Sequence, residues 1–199
     1  MKSIVNTAKQ FIVNPKSEWE VVKKNTNTAQ DHVVSYVLPL ALISAISIFI
    51  GIGVIGYSIL GYRVQSVSSG LAQAIMSLVS IVFGVYISGF VIHKLGPTFD
   101  TTVSLDRAVK LVGFSYTAIL LAGILNIFPP LAVFTFLGGL YSLYILYLGF
   151  KPMTNVSEEK SMSYFLVSLL VIVGVYFILG LILAGIIGTL GFSTFGGFY

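Results

Sequence analysis

The sequence predicts an all-α, polytopic integral membrane protein: five transmembrane helices preceded by an amphipathic cytoplasmic N-terminal segment. Three observations carry that fold class. Of the 199 residues, 56% are hydrophobic and 9% charged, with a mean hydropathy of +0.97, whereas a soluble domain carries about 25% charged residues. Apolar runs long enough for the ~30 Å hydrocarbon core recur along the chain. Ten of the eleven Lys and Arg residues fall on one side of those runs, the asymmetry that orients membrane proteins.

Residues 1–34 precede the spans. Ile4, Val5, Ala8, Phe11 and Ile12 repeat at helical spacing, with Lys2, Lys9 and Gln10 on the other face. That pattern suits a helix lying among lipid headgroups. Asn14-Pro15 then restarts the chain, Asn14 as N-cap and Pro15 at the first helical position. The second short helix, from Lys16 to about Asn25, turns Trp19 and Val22 to one side. Trp19 is the only tryptophan, a residue that favours the membrane interface. Both helices read either as plain anchors or as a docking surface for a cytoplasmic partner, with Phe11 and Trp19 as the candidate contact residues. No cleavable signal peptide is expected, because the first apolar run far exceeds the 7–15 residues of a signal core.

Span one is expected over 35–61, with Pro39 in its first turns, where a missing donor costs little. Arg63 follows in a short, serine-rich polar connection. Span two is expected over 70–92, and Ser80, Gly84 and Ser88 give it a small-residue stripe that permits close helix packing. The loop from His93 to Lys110 holds the turn Gly96-Pro97, then Ser104 as N-cap with Asp106 in the first turn. From Leu111 to Phe150 the chain has forty residues without a charge. One helix of that length would reach about 60 Å, twice the bilayer core. Pro129 and Pro130 remove two backbone donors in its middle, so it divides into a tight hairpin of spans three (108–127) and four (131–150). Lys151-Pro152 ends span four, Glu158, Glu159 and Lys160 fill the next loop, and span five is expected over 163–190 with a second small-residue stripe at Gly180, Ala184 and Gly188. Residues 191–199 form an uncharged tail on the non-cytoplasmic side. Arg63 is the one cation opposite the other ten, so the N-terminus is placed in the cytoplasm and the C-terminus outside. In a prokaryote this is the cell, or inner, membrane.

Catalytic patterns are not found. The chain has no cysteine, and it contains no phosphate-binding Gly-rich loop, zinc-binding His-Glu spacing or nucleophile elbow. His32 and His93 both fall at the cytoplasmic ends of spans, near Asp31 and Asp100; without tight ligand spacing they read as interfacial side chains, and no metal or cofactor is expected. The expected spans carry no ionisable group of the kind proton-coupled carriers place at mid-membrane. Candidate polar positions for a path, or for the hairpin's structure, are Ser115, Tyr116, Thr117, Asn126, Pro129, Pro130, Tyr141, Tyr144 and Tyr147. The three tyrosines share about 120° of one helix face.

Several segments together resemble the prokaryotic branch of the Yip family, five-span membrane proteins named for binding Ypt/Rab GTPases. They are NPKSEWEVV (14–22), KLGPTF (94–99), FSYT (114–117), IFPP (127–130), LYSLYILYLGFKPM (140–153) and NVSEEKSMSY (155–164). The resemblance implies a helical membrane protein with a cytoplasmic N-terminus. Eukaryotic members act in vesicle traffic, but their long N-terminal region and Asp-Leu-Tyr-Gly-Pro motif have no counterpart here, so that role is not carried over. The family offers no catalytic residues. The reading is a non-enzymatic protein that organises or scaffolds membrane components through its cytoplasmic face. The alternative is passage of lipid or a small solute along the span three–four hairpin. Expected partners are membrane lipids and a membrane or cytoplasmic protein, or a second copy of the chain, and no nucleic acid.

Overall fold

The structure, a computed structural model, describes residues 3–59 and 62–189, with backbone alone for 57–59, 62–64, 179, 180 and 182–189. The tail expected over 191–199 and the outer limits placed at Gly61 and Leu190 lie outside the described residues. Two short helices open the chain, α1 (Ile4–Val13) and α2 (Pro15–Val22). Four long helices follow, α3 (Ala29–Ile55), α4 (Val67–Phe99), α5 (Leu105–Ile127) and α6 (Pro129–Thr154), and then α7 (Glu158–Thr189). All five are long and apolar enough to cross a bilayer. Between α3 and α4 lie two antiparallel three-residue strands, pairing Tyr57 with Val64: β1 (Tyr57–Ile59), inside the stretch expected as the end of span one, and β2 (Tyr62–Val64), in the expected polar connection.

The central helix is α5. In its most apolar stretch 67% of the residues are buried in protein, against 17% for α6. Its run from Ala108 to Ser115 is buried without interruption, packed by α3, α4 and α6, while α7 rests on α4 and α6. The remaining surface of the bundle is broadly apolar, as lipid contact requires, with Phe83, Val133, Phe136, Leu170 and Phe177 all strongly exposed. Of the first small-residue stripe, Gly84 and Ser88 are buried and Ser80 is exposed; a side chain at Gly84 would stand 2.6 Å from the Tyr176 hydroxyl. The second stripe falls where side chains are not described.

Helix α3 begins at Ala29, six residues before the expected start of span one. Thr28 and Asp31 form a reciprocal capping box there, which removes the cost of a carboxylate at the helix mouth. Pro39 therefore lies inside the helix, not in its first turns. The turn before it, Val33–Val37, is π-helical, and the wider turn accommodates the missing donor. The far end, Phe49–Ile55, is π-helical too, and it stops at Gly56, whose φ of 72° is in the left-handed region open to glycine.

The α5–α6 hairpin turns on a single residue. Gly123–Ile127 and Pro129–Phe134 are both 3-10 helical, and Phe128 between them is extended, as a residue before proline prefers. Irregular backbone at membrane depth persists only where protein or a cavity shields it. Here the shield is α3: a Cβ at Gly51 would overlap the carbonyl oxygen of Asn126. On its other side α3 meets α4 as closely, a Cβ at Gly70 standing 2.7 Å from the Cα of Gly53. We expect Gly51→Ala to destabilise the protein by about 1–3 kcal/mol through overpacking, read as a lowered unfolding midpoint in detergent. An Ala at Gly174, which has open space around it, should leave that midpoint unchanged.

Candidate functional site

The residues that couple the N-terminal helices to the bundle gather around Phe114, on the near half of α5. Ser3 caps α1, accepting from the Asn6 amide at 3.2 Å, and Asn14 caps α2, accepting from Ser17 at 3.4 Å. The two helices turn at Asn14-Pro15 and bury one face each: Ala8 and Phe11 on α1, and Pro15, Glu18, Trp19 and Val22 on α2. The Phe114 ring is stacked on Phe11 at 5.0 Å and meets Trp19 edge-on at 6.1 Å. His32 lies 4.2 Å from it and Tyr36 4.8 Å. Offset and edge-to-face pairs of this kind add about 0.5–1.5 kcal/mol each beyond the area they bury.

Trp19 enters a slot on α6. Its Nε1–H donates to the Ile145 carbonyl at 3.0 Å, and a Cβ at Gly149 would overlap the indole ring. The Tyr141 hydroxyl donates to the Ile12 carbonyl at 2.7 Å. Tyr141 stands ten residues before Lys151, about 15 Å along the helix, so the turn between α1 and α2 reaches well below the level of that lysine. Behind the arm, Lys110 donates to the carbonyls of Asn25 and Asn27, each at 2.8 Å, and the Asp106 carboxylate accepts from the Ala29 amide at 2.6 Å.

This corrects the expected role of two residues. Phe11 and Trp19 are fully buried, so neither is available to lipid or to a partner. The outward side chains of α1 are Val5 and Val13, 73% and 70% exposed, with Ile12, Lys9 and Gln10 beside them. His32 and Lys110, read as loop or interfacial groups, are buried as well. His93 lies apart, its Nδ1 2.7 Å from the Val103 carbonyl. Asp31 serves the capping box, and Asp100 pairs with Lys160.

The polar candidates are dispersed. Ser115 donates to Leu111 at 2.6 Å, and Thr117, which donates to the Phe114 carbonyl, also shares a 2.7 Å hydrogen bond with Tyr36. Tyr116 faces Ser88 and Tyr176 instead. The helical ladder of α5 is interrupted here, and Ser142 on α6 compensates by accepting from the Ile119 amide at 3.0 Å. Tyr144 and Tyr147 are about half exposed on the outer side of α6. Asn126, whose amide donates to the Gly123 carbonyl at 2.8 Å, lines a cavity of about 360 Å³ with Gln73 and Pro129 at the other end of the bundle. These groups turn to different neighbours and do not line one path along the hairpin.

A family model described as the Yip1 domain matches residues 9–182, from the middle of α1 well into α7. The chain belongs to the Yip1 family. It is 27% identical over 156 residues to Inner membrane protein YohC of Escherichia coli strain K12, covering 76% of this chain and 80% of that protein. The protein of the same name from Escherichia coli O6:H1 gives the same figures. No solved structure matches. The Yip1 match starts at Lys9, so it takes in Phe11, Trp19 and Phe114. Glycine spacing held no sequence signal for the Trp19 slot; the signal was a lone tryptophan on an amphipathic helix.

The slot makes a direct test. Trp19→Ala should cost roughly 3–5 kcal/mol, the range for a buried large aromatic, measured as a fall in the unfolding midpoint. Gly149→Val should produce a red shift of the single-tryptophan emission as the indole is expelled to the interface.

Proposed function

We propose that this protein organises components of the membrane around it, without catalysis, from an N-terminal arm that is a rigid part of its cytoplasmic face. The observation that carries this reading is the seating of Trp19 against Ile145 and Gly149, which locks the arm to the bundle while Val5, Ile12 and Val13 remain outward. Lys9 and Lys16 are exposed close to those apolar residues, a combination suited to the boundary between acyl chains and anionic headgroups. The arm belongs to the side that holds ten of the eleven cations, which supports a cytoplasmic orientation. The name of the relatives supports an inner-membrane location. In favour of a non-enzymatic role, the hydroxyls of Ser115, Thr117 and Ser142 are each engaged in structural hydrogen bonds, and no group of three His, Cys, Asp or Glu gathers among the described residues.

Truncating the arm is an unsuitable test, because it would strip the cover from Phe114. Photo-crosslinkers at positions 5, 13 and 20 in native membranes should instead capture a membrane or cytoplasmic protein from at least one position. Lipid alone at all three would count against the organising role. A second reading, solute or lipid passage, is favoured by the cavity at Asn126 and Gln73. It requires flux in liposomes that Asn126→Leu lowers, and it fails if the purified protein moves neither labelled lipid nor small uncharged solutes.

A further inference from the structure

The arm enters one leaflet, and three helices of the bundle fix how deep it goes. At its start, Ile4 and Thr7 share a cavity wall with Ser35 and Tyr36, about two turns into α3. Phe11 then stacks on Phe114, which lies about 6 Å beyond Lys110 along α5. The end of α1 is held at Ile12 by Tyr141, about 15 Å along α6 from Lys151. From there α2 climbs back, bringing Glu20 and Lys23 beside Lys151. The arm is a V whose depth is about half the ~30 Å hydrocarbon core, so it stays within the leaflet it enters.

Its outward face at that depth is mixed. Val5, Ile12 and Val13 point away from the bundle, with Lys9, Asn14 and Lys16 exposed among them. Acyl chains alone would leave the two ammonium groups unsolvated, and water alone would leave the three apolar side chains wet. The boundary between headgroups and acyl chains satisfies both, because a lysine stem can lie among the chains while its charge reaches the headgroups. The face is also continuous with the lipid-facing surface: Tyr141, which holds Ile12, is 5.7 Å from the half-exposed Tyr144. The other end of the bundle has no counterpart. Among the described residues, α3 passes to α4 there through β1 and β2, and α5 passes to α6 through Phe128 alone.

We propose that the arm is a wedge in the leaflet it enters, and that the protein therefore gathers where that leaflet is convex. A helix lodged at the acyl boundary spreads the headgroups of its own leaflet and leaves the other unchanged, which is why such helices respond to curvature. A loose amphipathic helix can leave a flat membrane. This one is held at its depth by Trp19 in the Gly149 slot and by Phe11 on Phe114. The mismatch of area between the leaflets stays with the protein, and movement to curved membrane relieves it. The inference rests neither on the organising role nor on which leaflet faces the cytoplasm, and Glu20, exposed at the level of Lys151, stays clear of the wedge.

The chain has no cysteine, so Thr26→Cys, in the exposed link between α2 and α3, takes one membrane-impermeant dye. Added outside giant vesicles containing phosphatidylglycerol, the dye marks only molecules whose arm is in the outer leaflet. In a narrow tube drawn from the vesicle, these molecules should be enriched at least about twofold relative to a lipid dye, and more as the tube narrows. Val5→Ser together with Val13→Ser changes outward side chains alone. It should abolish most of the enrichment while the emission of Trp19, which reports a seated arm, is unchanged. No enrichment of the unaltered chain overturns the proposal, as does equal enrichment of the double variant. If the double variant unseats Trp19, the opposite orientation decides. Dye enclosed in the vesicle marks molecules with the arm inside, which should be depleted from the tube; equal enrichment of the two orientations overturns the proposal.

Discussion

The contact of Phe114 with Phe11 and Trp19 is the constraint on which the near half of the structure depends. Phe114 belongs to the most buried helix, and its ring is shared by α1, α2 and the start of α3. Without the arm, this ring and the Gly149 slot would open to headgroups and water. Without Phe114, the hydrogen bonds described between the arm and the bundle are those at Ile145 and Ile12 and the two of the Lys110 clasp. A net hydrogen bond is worth about 1 kcal/mol and one from a charged donor about 1.5–3 kcal/mol, so the ring packing and the polar contacts share the attachment, and the directional polar contacts fix its register.

The far half is built on a different principle. Its backbone departs from α-helix in α3, α5 and α6 at once, and glycine lets these segments approach more closely than side chains would permit. Small residues that admit close backbone contact are the usual means of holding membrane helices together, because lipid tails offer no hydrophobic penalty to drive them. The two halves therefore differ in what they tolerate. Aromatic rings line the near-half cavity beside the arm, while the cavity at Asn126 and Gln73 adjoins the glycine contacts of the far half.

Much of this was legible in the sequence. Hydropathy gave the five long helices, and Pro129-Pro130 gave the one-residue hairpin, because proline chemistry acts locally. The caps at Asn14 and Ser104 were legible for the same reason. The start of α3 was not. Asp31 and His32 looked too polar for a span, yet one is satisfied by Thr28 and the other is covered by Tyr36 and Phe114. Lys110 misled likewise, since only the fold brings the carbonyls of Asn25 and Asn27 to it. The amphipathic pattern of the arm was plain, but Phe11 and Trp19 suit a lipid surface and a protein groove equally well. The groove depends on Gly149, one of twenty glycines in the chain, and nothing local distinguishes it from the rest.

The arm is part of the bundle and not a loose anchor, and quenching of Trp19 by lipids brominated at several acyl positions distinguishes the two. We expect weak quenching at every position, with strong shallow quenching restored when Val13→Trp is placed in a Trp19→Phe background. Quenching of Trp19 as strong as that of the tryptophan at position 13 would show the arm to be a loose anchor.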